Sequence, residues 1–355
     1  MVVTGGLGPT PDDLTRYAVA DVLGVELVTD EAALTDVRRC FERMGRSMPA
    51  GNEVQALIPQ GAEVLPNARG TAPGIVWEQD ERMLAVLPGV PEEMRAMFET
   101  ALRPRLARRA GASPYHRIVL QTFGMSEADI GTALRDLMDR DRNPLVGTTA
   151  KRGTIGIRIL ARGVTESEAR ALAEADAQEV RRRLGRAVFG EGDTTLEQAV
   201  GAILKKRGLT LATAESCTGG WLAKRITDTP GSSAYFLGGV VTSAHAQKTA
   251  WLDVPTSILR EHGAVSEPVA AAMAGGCRER FGSDTALATT GIAGPGGATN
   301  SKPVGLVYVA FANASGVEVK ELRLGEHWGR EGIRDRTCSI ALNLLRLRLS
   351  SDPNP

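Results

Sequence analysis

Apolar positions along the chain alternate between a strand-like period and a helical period. In the first third these stretches follow one another as Val2–Thr4, Pro11–Leu23, Asp30–Met44, Ile75–Glu78, Met83–Leu87 and Pro91–Arg109. Strands that alternate with helices are typical of a parallel, doubly wound sheet, so we predict an α/β domain over residues 1–113. Because the chain opens in mid-strand, we expect this domain to be truncated at its amino end.

The pattern changes in the middle of the chain, where a small mixed section covers residues 114–192. It contains a helical stretch at Ser126–Met138, a strand at Thr154–Ala161 and a further helix after Thr165. Thr165 and Glu168 have the spacing of a capping box, which marks a helix start. We predict a small α+β domain here.

The third section, residues 193–350, returns to alternating strands and helices. It starts at a second capping box, Thr194 to Glu197, and its strand-like runs are Thr210–Ala214, Leu237–Thr242, Thr285–Thr289 and Val304–Ala312. We predict another α/β domain. The polar tail Ser350–Pro355 is expected to be frayed.

Composition narrows the classes of function. The 355 residues carry 42 Lys and Arg against 42 Asp and Glu, and only 4% are aromatic. A neutral chain poor in aromatic residues is not expected to bind nucleic acid or an anionic membrane by charge. Its four cysteines are widely spaced and predict neither a disulfide framework nor a zinc site, and no apolar run approaches the about 18 residues of a membrane span. We therefore expect a cytoplasmic protein.

One turn in the third section carries candidate chemistry. An apolar strand ends at Ser216, Cys217 and Thr218, and two glycines then lead into a helix. The free N–H groups of a helix start stabilise an oxyanion, so Ser216 is a candidate nucleophile. A helix start also lowers the pKa of a thiol, which makes Cys217 an alternative. The alternative is a purely structural role, in which Ser216 or Thr218 only caps the helix.

A serine nucleophile needs a base, and Lys248 is the candidate that we favour. It follows the apolar run Leu237–Thr242 and would begin the next helix at the same edge of the sheet as Ser216. A lysine in a poorly solvated pocket can lose its proton near neutral pH, although most lysines are simply solvated. The histidines of this section show no spacing that suggests a triad.

Six motifs occur in order through this section: Glu215–Gly220, Pro230–Ser233, Gly238–Val241 with Lys248, His262–Ser266, Thr290–Gly297 and Lys302–Gly305. Together they resemble the C-terminal domain of the CinA family, the nicotinamide mononucleotide deamidase domain. The resemblance implies an amidohydrolase that converts nicotinamide mononucleotide to nicotinic acid mononucleotide and ammonia without a cofactor.

The resemblance also implies roles for individual residues. Ser216 takes the position of the nucleophile and Lys248 that of its general base. The residues expected to bind substrate are Thr218, Gly219, Gly220, Ser233, Gly291, Gly294, Gly296, Arg330 and Arg334. The glycine loop would offer backbone N–H groups, and the two arginines would meet the phosphate with their guanidinium groups. The chain has Ser243 where the family usually has Tyr, which predicts reduced or lost activity.

A second glycine-rich loop lies near the amino end and contains Gly5, Gly6, Gly8, Thr10, Asp12 and Asp13. Its glycines let the backbone approach a phosphate, and the helix that follows offers N–H groups. Asp12 or Asp13 would hold a divalent metal ion at the phosphates or, more commonly, cap the helix. With Asn67–Gly74 and Leu87–Met94, the loop resembles the N-terminal domain of CinA proteins. That domain is similar to molybdopterin-binding domains and is associated with ADP-ribose pyrophosphatase activity.

The middle section resembles the KH-like domain that links the two domains in CinA proteins. Three function classes follow, and the leading interpretation is the deamidase, acting in pyridine nucleotide recycling. The second is an ADP-ribose pyrophosphatase, or a nucleotide- or pterin-binding protein, that acts through the first section, alone or together with the deamidase in a bifunctional enzyme. The third is a non-catalytic interaction protein linked to competence and DNA damage. The expected partners are a small-molecule nucleotide and a second copy of the chain, since relatives are commonly dimers.

Overall fold

The computed structural model of the protein describes residues 1–109, 114–151 and 153–351. It forms two compact units, Met1–Ala112 and Ser113–Pro355, and the second unit holds both the middle and the third section of the sequence. In the part of the chain that the structure describes, no helix combines the length and apolarity needed to cross a bilayer.

The first unit contains six short strands and four helices in the described residues. The strands are β1 Val2–Thr4, β2 Leu27–Thr29, β3 Leu57–Pro59, β4 Glu63–Leu65, β5 Gly74–Gln79 and β6 Arg82–Leu87. The helices are α1 Thr15–Leu23, α2 Glu31–Arg43, α3 Pro91–Met97 and α4 Arg103–Arg109. A π-helical turn, Phe98–Leu102, joins α3 to α4, so the helix predicted over Pro91–Arg109 is confirmed with one irregular turn.

The main sheet of this unit has the order β1-β6-β5-β4. Only β1 and β6 are parallel, because β5 pairs antiparallel with both β6 and β4. The prediction of a fully parallel sheet is therefore wrong here. Residues Asp80 and Glu81 alone connect β5 to β6, with Asp80 at a φ of 53°, and so tight a turn can join only antiparallel neighbours.

Helix α2 shows why its sequence pattern predicts a helix. The Asp30 side chain accepts a hydrogen bond from the Ala33 N–H at 2.8 Å and caps the helix. Leu34, Val37 and Cys40 are buried at helical spacing on one face, which confirms this prediction.

The middle section is a four-stranded antiparallel sheet with two helices on one face. Its elements are β7 Tyr115–Phe123, α5 Glu127–Ala133, β8 Leu145–Lys151, β9 Thr154–Arg162, α6 Glu166–Leu184 and β10 Val188–Glu191, in sheet order β10-β7-β9-β8. The Thr165 side chain caps α6 by accepting from the Glu168 N–H at 3.2 Å, as predicted. The predicted capping box is incomplete, because the Glu168 carboxylate accepts from the Val164 N–H instead of the Thr165 N–H. The helix predicted over Ser126–Met138 is shorter than expected, since its regular part stops at Ala133.

The third section is built on five strands and six helices. The strands are β11 Leu211–Glu215, β12 Phe236–Val241, β13 Thr285–Gly291, β14 Leu306–Asn313 and β15 Gly316–Arg323. The helices are α7 Leu196–Arg207, α8 Trp221–Thr227, α9 His245–Leu252, α10 Thr256–His262, α11 Glu267–Phe281 and α12 Gly329–Ser351.

Two boundaries of this section differ from the sequence prediction. The capping box of α7 is formed by Thr195 and Gln198, one residue later than Thr194 and Glu197, because the Thr195 hydroxyl is the one that accepts the first-turn N–H. Helix α12 continues through Ser351, and residues 352–355 of the predicted frayed tail lie outside the described residues.

The sheet of the third section has the order β12-β11-β13-β14-β15. Strands β12, β11 and β13 are parallel, and β14 and β15 complete the sheet in antiparallel pairing. One buried layer, with α7, α8 and α12, covers one face, and a second layer, with α9, α10 and α11, covers the other. Because Glu215 pairs with Val241 at the ends of the parallel strands β11 and β12, the residues that follow both strands meet at one edge.

Candidate active site

A serine and a buried lysine meet at this edge of the sheet. Ser216 is the first residue after β11, and its N–H is fixed by the Thr289 carbonyl at 2.9 Å. Lys248 lies in the first turn of α9 and has no exposed surface. Its Nζ is 3.1 Å from the Ser216 Oγ. The two side chains are thus within hydrogen-bond distance, 32 residues apart in sequence.

The surroundings of Lys248 make its amine easier to deprotonate than that of an ordinary lysine. Burial is the main cause that lowers its pKa from 10.5 to about 8, against a small opposing effect of Cys217. Nζ donates to the carbonyl oxygens of Thr242 and Ser243, the latter at 3.2 Å, and no carboxylate of the described residues contributes to its pKa shift. An uncharged amine has two N–H groups, which these carbonyls accept, so its lone pair faces the Ser216 hydroxyl.

The amino end of α8 is occupied by a carboxylate that the sequence analysis did not single out. The buried Glu215 side chain accepts from the N–H groups of Leu222 at 3.0 Å and Ala223 at 2.7 Å. The capping residue is Gly220, which makes no side-chain bond, so the alternative that Ser216 or a neighbouring hydroxyl caps this helix is wrong. The sequence did contain a signal for this role, because Glu215 is a single acidic residue at the end of an otherwise apolar strand.

Cys217 is a protonated thiol at neutral pH. Burial is the largest cause that raises its pKa to about 12, and the nearby Glu215 charge adds to it. The expected lowering of the thiol pKa by the helix start is wrong, because Glu215 already holds the first N–H groups of α8. Between the two candidate nucleophiles, the geometry therefore favours Ser216.

The loop after Ser216 folds back on the serine. The Gly219 N–H donates to the Ser216 carbonyl at 3.2 Å, and Gly219 and Gly220 adopt φ values of 60° and 87°, which favour glycine. Within the described residues, the N–H groups of Cys217 and Thr218 donate to no backbone carbonyl. These two N–H groups adjoin Ser216, so they replace the helix start as the candidate donors to an oxyanion.

Two arginines of α12 hold the loops around the site. Arg334 donates to the Thr218 carbonyl from Nε at 3.2 Å and from Nη2 at 2.7 Å, and its guanidinium lies 5.0 Å from the centre of the Trp221 ring. Arg330 donates from Nη1 to the Gly294 carbonyl at 2.6 Å. Each guanidinium has further N–H groups, so a role in phosphate binding stays a prediction.

The other loop residues predicted to bind substrate have different surroundings. The buried Thr218 hydroxyl is bonded to that of Thr289 at 2.7 Å, which leaves its backbone rather than its side chain for a ligand. A side chain at Gly291 would meet the backbone of β14 at 2.8 Å, so this glycine permits close strand packing. Gly294 is buried with a φ of 80°, and Gly296 is exposed with open space around it.

Ser233 does not join this site within one chain. It lies in a one-turn 3-10 helix, Ser232–Ala234, that precedes β12. Because β12 begins beside Leu211 and ends beside Glu215, Ser233 lies at the opposite end of the sheet from Ser216. The prediction that places both serines in one site is therefore wrong for the single chain.

The amino-terminal glycine loop is held by a buried arginine that the sequence analysis did not indicate. Arg16, the second residue of α1, is 1% exposed and donates to the carbonyl oxygens of Leu7, Gly8 and Val54. A side chain at Gly6 would meet α1 at 2.1 Å, so the loop packs closely on the helix. A cavity of about 350 Å³ borders the loop and could accommodate a phosphate group.

The aspartates of this loop do not cap α1. Asp13 accepts from the N–H and hydroxyl of Thr10, and the hydroxyl bond is the largest cause that lowers the Asp13 pKa. Helix α1 has Leu14 at its capping position, without a side-chain bond, so the capping alternative for Asp12 and Asp13 is wrong. The described residues contain no cluster of three or more His, Cys, Asp or Glu that could hold a metal ion.

An antiparallel α+β domain followed by an α/β domain with a serine–lysine pair at its edge defines the class: a multidomain α/β protein with a serine–lysine site. Family models match three successive stretches of the chain. They match a probable molybdopterin binding domain at residues 1–108, the KH domain of damage-inducible protein CinA at 117–190, and the CinA C-terminal domain at 193–349. The chain belongs to the CinA family.

Similar proteins extend over nearly the whole chain. A putative competence-damage inducible protein of Symbiobacterium thermophilum is 44% identical over 359 residues, and a CinA-like protein of Geobacter sulfurreducens is 47% identical over 351. Each alignment covers 98% of this chain and 84% of the relative. A solved structure of a competence/damage inducible protein from Agrobacterium tumefaciens is 42% identical, covers 44% of this chain and 93% of its own, and has a TM-score of 0.42.

Proposed function

We propose that the C-terminal domain is an amidohydrolase that converts nicotinamide mononucleotide to nicotinic acid mononucleotide and ammonia. The observation that carries the proposal is the 3.1 Å contact between the Ser216 Oγ and the Nζ of the buried Lys248. A serine activated by a neutral lysine is suited to acyl transfer, in which an alkoxide must form at neutral pH. The substrate is taken from the family resemblance of the six motifs.

The first half of the reaction forms an ester on the enzyme. The Ser216 Oγ attacks the carboxamide carbon, and its proton passes to the Lys248 Nζ. The N–H groups of Cys217 and Thr218 are the donors placed to stabilise the oxygen that becomes negative. Lys248 then returns the proton to the amide nitrogen, the carbon–nitrogen bond breaks, and ammonia leaves.

The second half reverses the roles of the groups. Lys248, uncharged again, takes a proton from a water molecule that attacks the ester carbon. Collapse of the tetrahedral intermediate breaks the ester bond, and the proton on Nζ returns to the Ser216 oxygen. The carboxylic acid that forms passes its proton to ammonia in solution, so each turnover consumes one water and yields one carboxylate and one ammonium ion.

The mononucleotide phosphate needs a cationic site that is separate from α8, since Glu215 occupies the start of that helix. Arg330 and Arg334 are candidates, because both reach the loops that flank Ser216. Their unused N–H groups can bind a phosphate in a forked geometry.

Ammonia release from nicotinamide mononucleotide by the purified full chain tests the proposal. We expect Ser216→Ala to abolish the release, whereas Cys217→Ala should retain it, because the thiol is protonated and only its neighbour is activated. Both substitutions remove one heavy atom from adjacent residues, so they are matched controls for packing. Equal activity of the Ser216→Ala protein would reject the assignment.

A second candidate function concerns the amino-terminal loop. The cavity beside Gly8, Thr10 and Arg16 supports binding of a phosphorylated ligand, and the family resemblance names ADP-ribose as a substrate. Addition of a divalent metal ion and ADP-ribose should then release AMP, and an Arg16→Gln variant should lose this release but keep ammonia release. Failure to release AMP with any metal ion would reject this function for the chain.

A further inference from the structure

A large cavity lies within the second unit, between the open face of the KH-like sheet and helices of the third section. Its volume is about 770 Å³, within the range of sites that hold a small molecule. Strands β7, β8 and β9 supply one wall, and helices α7, α8 and α12 supply the other. Neither Ser216 nor Lys248 lines this cavity, so it is separate from the candidate active site.

The sheet wall of the cavity is cationic. Helices α5 and α6 cover the other face of the sheet, where Ile118 is buried, so the side chains of Arg117 and Arg158 face the cavity. Arg158 is opposite Val119, which makes Arg117 its diagonal neighbour, roughly 7–8 Å away. Two guanidinium groups at this spacing can hold one phosphate through several N–H groups. Lys151 on β8 adds a third cation to the same wall.

The helical wall of the cavity also carries carboxylates, but most of them are neutralised within that wall. The pairs are Glu197 and Asp335, both with Arg225, and Asp228 with Lys224. In the described residues, no hydrogen bond or ion pair engages the side chains of the three sheet cations. Asp193 is the remaining carboxylate at the cavity, so its unpaired cations outnumber its unpaired acids by three to one. This charge balance favours an anionic ligand.

Two aromatic rings line the same cavity, in a chain of which only 4% is aromatic. Trp221 begins α8 and Phe189 lies on β10, and both are half-buried against the core of the third section. Phe189 lies beside Gln121, because its two neighbours on β10 pair with Thr122 and Gln121. From Gln121 to the position opposite Arg158 is two residues, or about 7 Å along β7. A planar ring and a phosphate that are joined by one sugar would therefore reach both features.

We propose that this cavity binds a single nucleotide whose phosphate is held by Arg117 and Arg158. The base then stacks on the ring of Phe189 or Trp221. A free phosphate would use the cations but leave the rings uncovered, and a nucleoside would do the reverse. The Asp193 carboxylate can accept hydrogen bonds from the sugar hydroxyls. Because the cavity has two walls and the chain carries no net charge, a nucleotide fits these features better than a nucleic-acid strand. This binding requires no activity at the serine–lysine pair.

Isothermal titration calorimetry of the purified full chain tests the site with AMP and UMP, one purine and one pyrimidine nucleotide. We expect both to bind, and Arg158→Gln to weaken both by about tenfold or more, because a charge-assisted bond to the phosphate is lost. Arg162→Gln is the matched control and should bind as the native chain does, since Arg162 is an exposed cation on the same strand but outside the cavity. Inorganic phosphate and adenosine should each bind about tenfold more weakly than AMP, or less.

A second variant fills the cavity without removing a charge. Gly156 lines the cavity on β9, between Gln121 and Thr149 of the neighbouring strands. An added Cβ would meet Gln121 at 3.5 Å and Val119 at 3.6 Å, which are ordinary contacts, so the sheet can accept a side chain here. Gly156→Leu should therefore lose AMP binding while its circular dichroism spectrum stays that of the native chain.

Several results would overturn the assignment. One is the absence of binding of both nucleotides to the native chain, and another is binding that survives Arg158→Gln and Gly156→Leu. Loss of binding in Arg16→Gln would move the nucleotide to the amino-terminal loop. Equal affinity for inorganic phosphate or for adenosine would show that the rings or the cations, respectively, play no part. An adenine oligoribonucleotide that binds more tightly than AMP and is weakened by Arg158→Gln would refute the single nucleotide in favour of a nucleic-acid strand.

Discussion

The pH dependence of ammonia release tests the protonation of Lys248, on which the proposed mechanism depends. The pKa of Lys248 is about 8 instead of 10.5, because the side chain is buried. At pH 7 about one tenth of the molecules then carry the uncharged amine, against about 3 in 10,000 for an ordinary lysine. Burial thus makes the reactive form about 300 times more abundant at neutral pH.

The assay is kcat/KM for ammonia release between about pH 6 and pH 10. We expect it to rise about tenfold per pH unit below the pKa of Lys248 and to level off above it, because the free amine is the base. Lys248→Arg should be inactive throughout, since a guanidinium keeps its proton. A flat profile, a rise that continues to pH 10, or activity in Lys248→Arg would each refute the reasoning.

The same pKa shift has a consequence for stability. The pKa of Lys248 is lower in the folded chain than in the unfolded chain, so protonation favours unfolding. The resulting loss in the free energy of unfolding is absent above pH 10.5 and grows as the pH falls towards 8. Below pH 8 it is constant at about 3 kcal/mol. Lys248→Met removes this cost but leaves two carbonyls unpaired, at about 1 kcal/mol each. We expect an inactive protein that urea unfolding at pH 7 finds at least as stable as the native one.

Three further predictions concern the loops around Ser216. Glu215→Ala should lower the free energy of unfolding by about 1–3 kcal/mol, measured in urea, because two buried N–H groups lose their acceptor; an unchanged unfolding midpoint would contradict the capping role. Iodoacetamide should not modify Cys217 at pH 8 in the folded chain, because its thiol has a pKa of about 12, and rapid labelling detected by peptide mass analysis would show that the thiolate is accessible. Arg334→Lys should reduce kcat by about tenfold with little change in fold, because one ammonium cannot replace the two donors that hold the Thr218 carbonyl; circular dichroism serves as the control, and unchanged kcat would show that the loop does not need this anchor.

The meeting of Ser216 with Lys248 could be anticipated from the sequence because each follows an apolar strand, and parallel strands end at the same edge. Other features depend on tertiary contacts that leave little trace in the local pattern. Glu215 reads as the last residue of a strand, yet its carboxylate reaches a helix seven residues later. Arg16 reads as one charge on an amphipathic helix, although it is buried against three carbonyls.

The hydrophobic pattern also did not determine the strand directions in the first unit. Alternation of strands and helices predicted parallel neighbours, but the two-residue connection at Asp80 requires a hairpin. The prediction that Ser233 lies near Ser216 was wrong for a related reason. Nearness in sequence to β12 does not say at which end of that strand a residue lies, and only the register of β12 against β11 decides it.

Helix α12 gives the second unit a mechanical link between its two sections. Near its first turns the helix binds the carbonyls of Gly294 and Thr218, and about 20 Å further along Arg346 donates to the Arg186 carbonyl of the KH-like section at 2.7 Å. Because a helix of this length is stiff, a displacement of the KH-like section along the helix axis would move the Thr218 and Gly294 loops together. Three arginines of one helix thus tie the KH-like section and both loops to a single element.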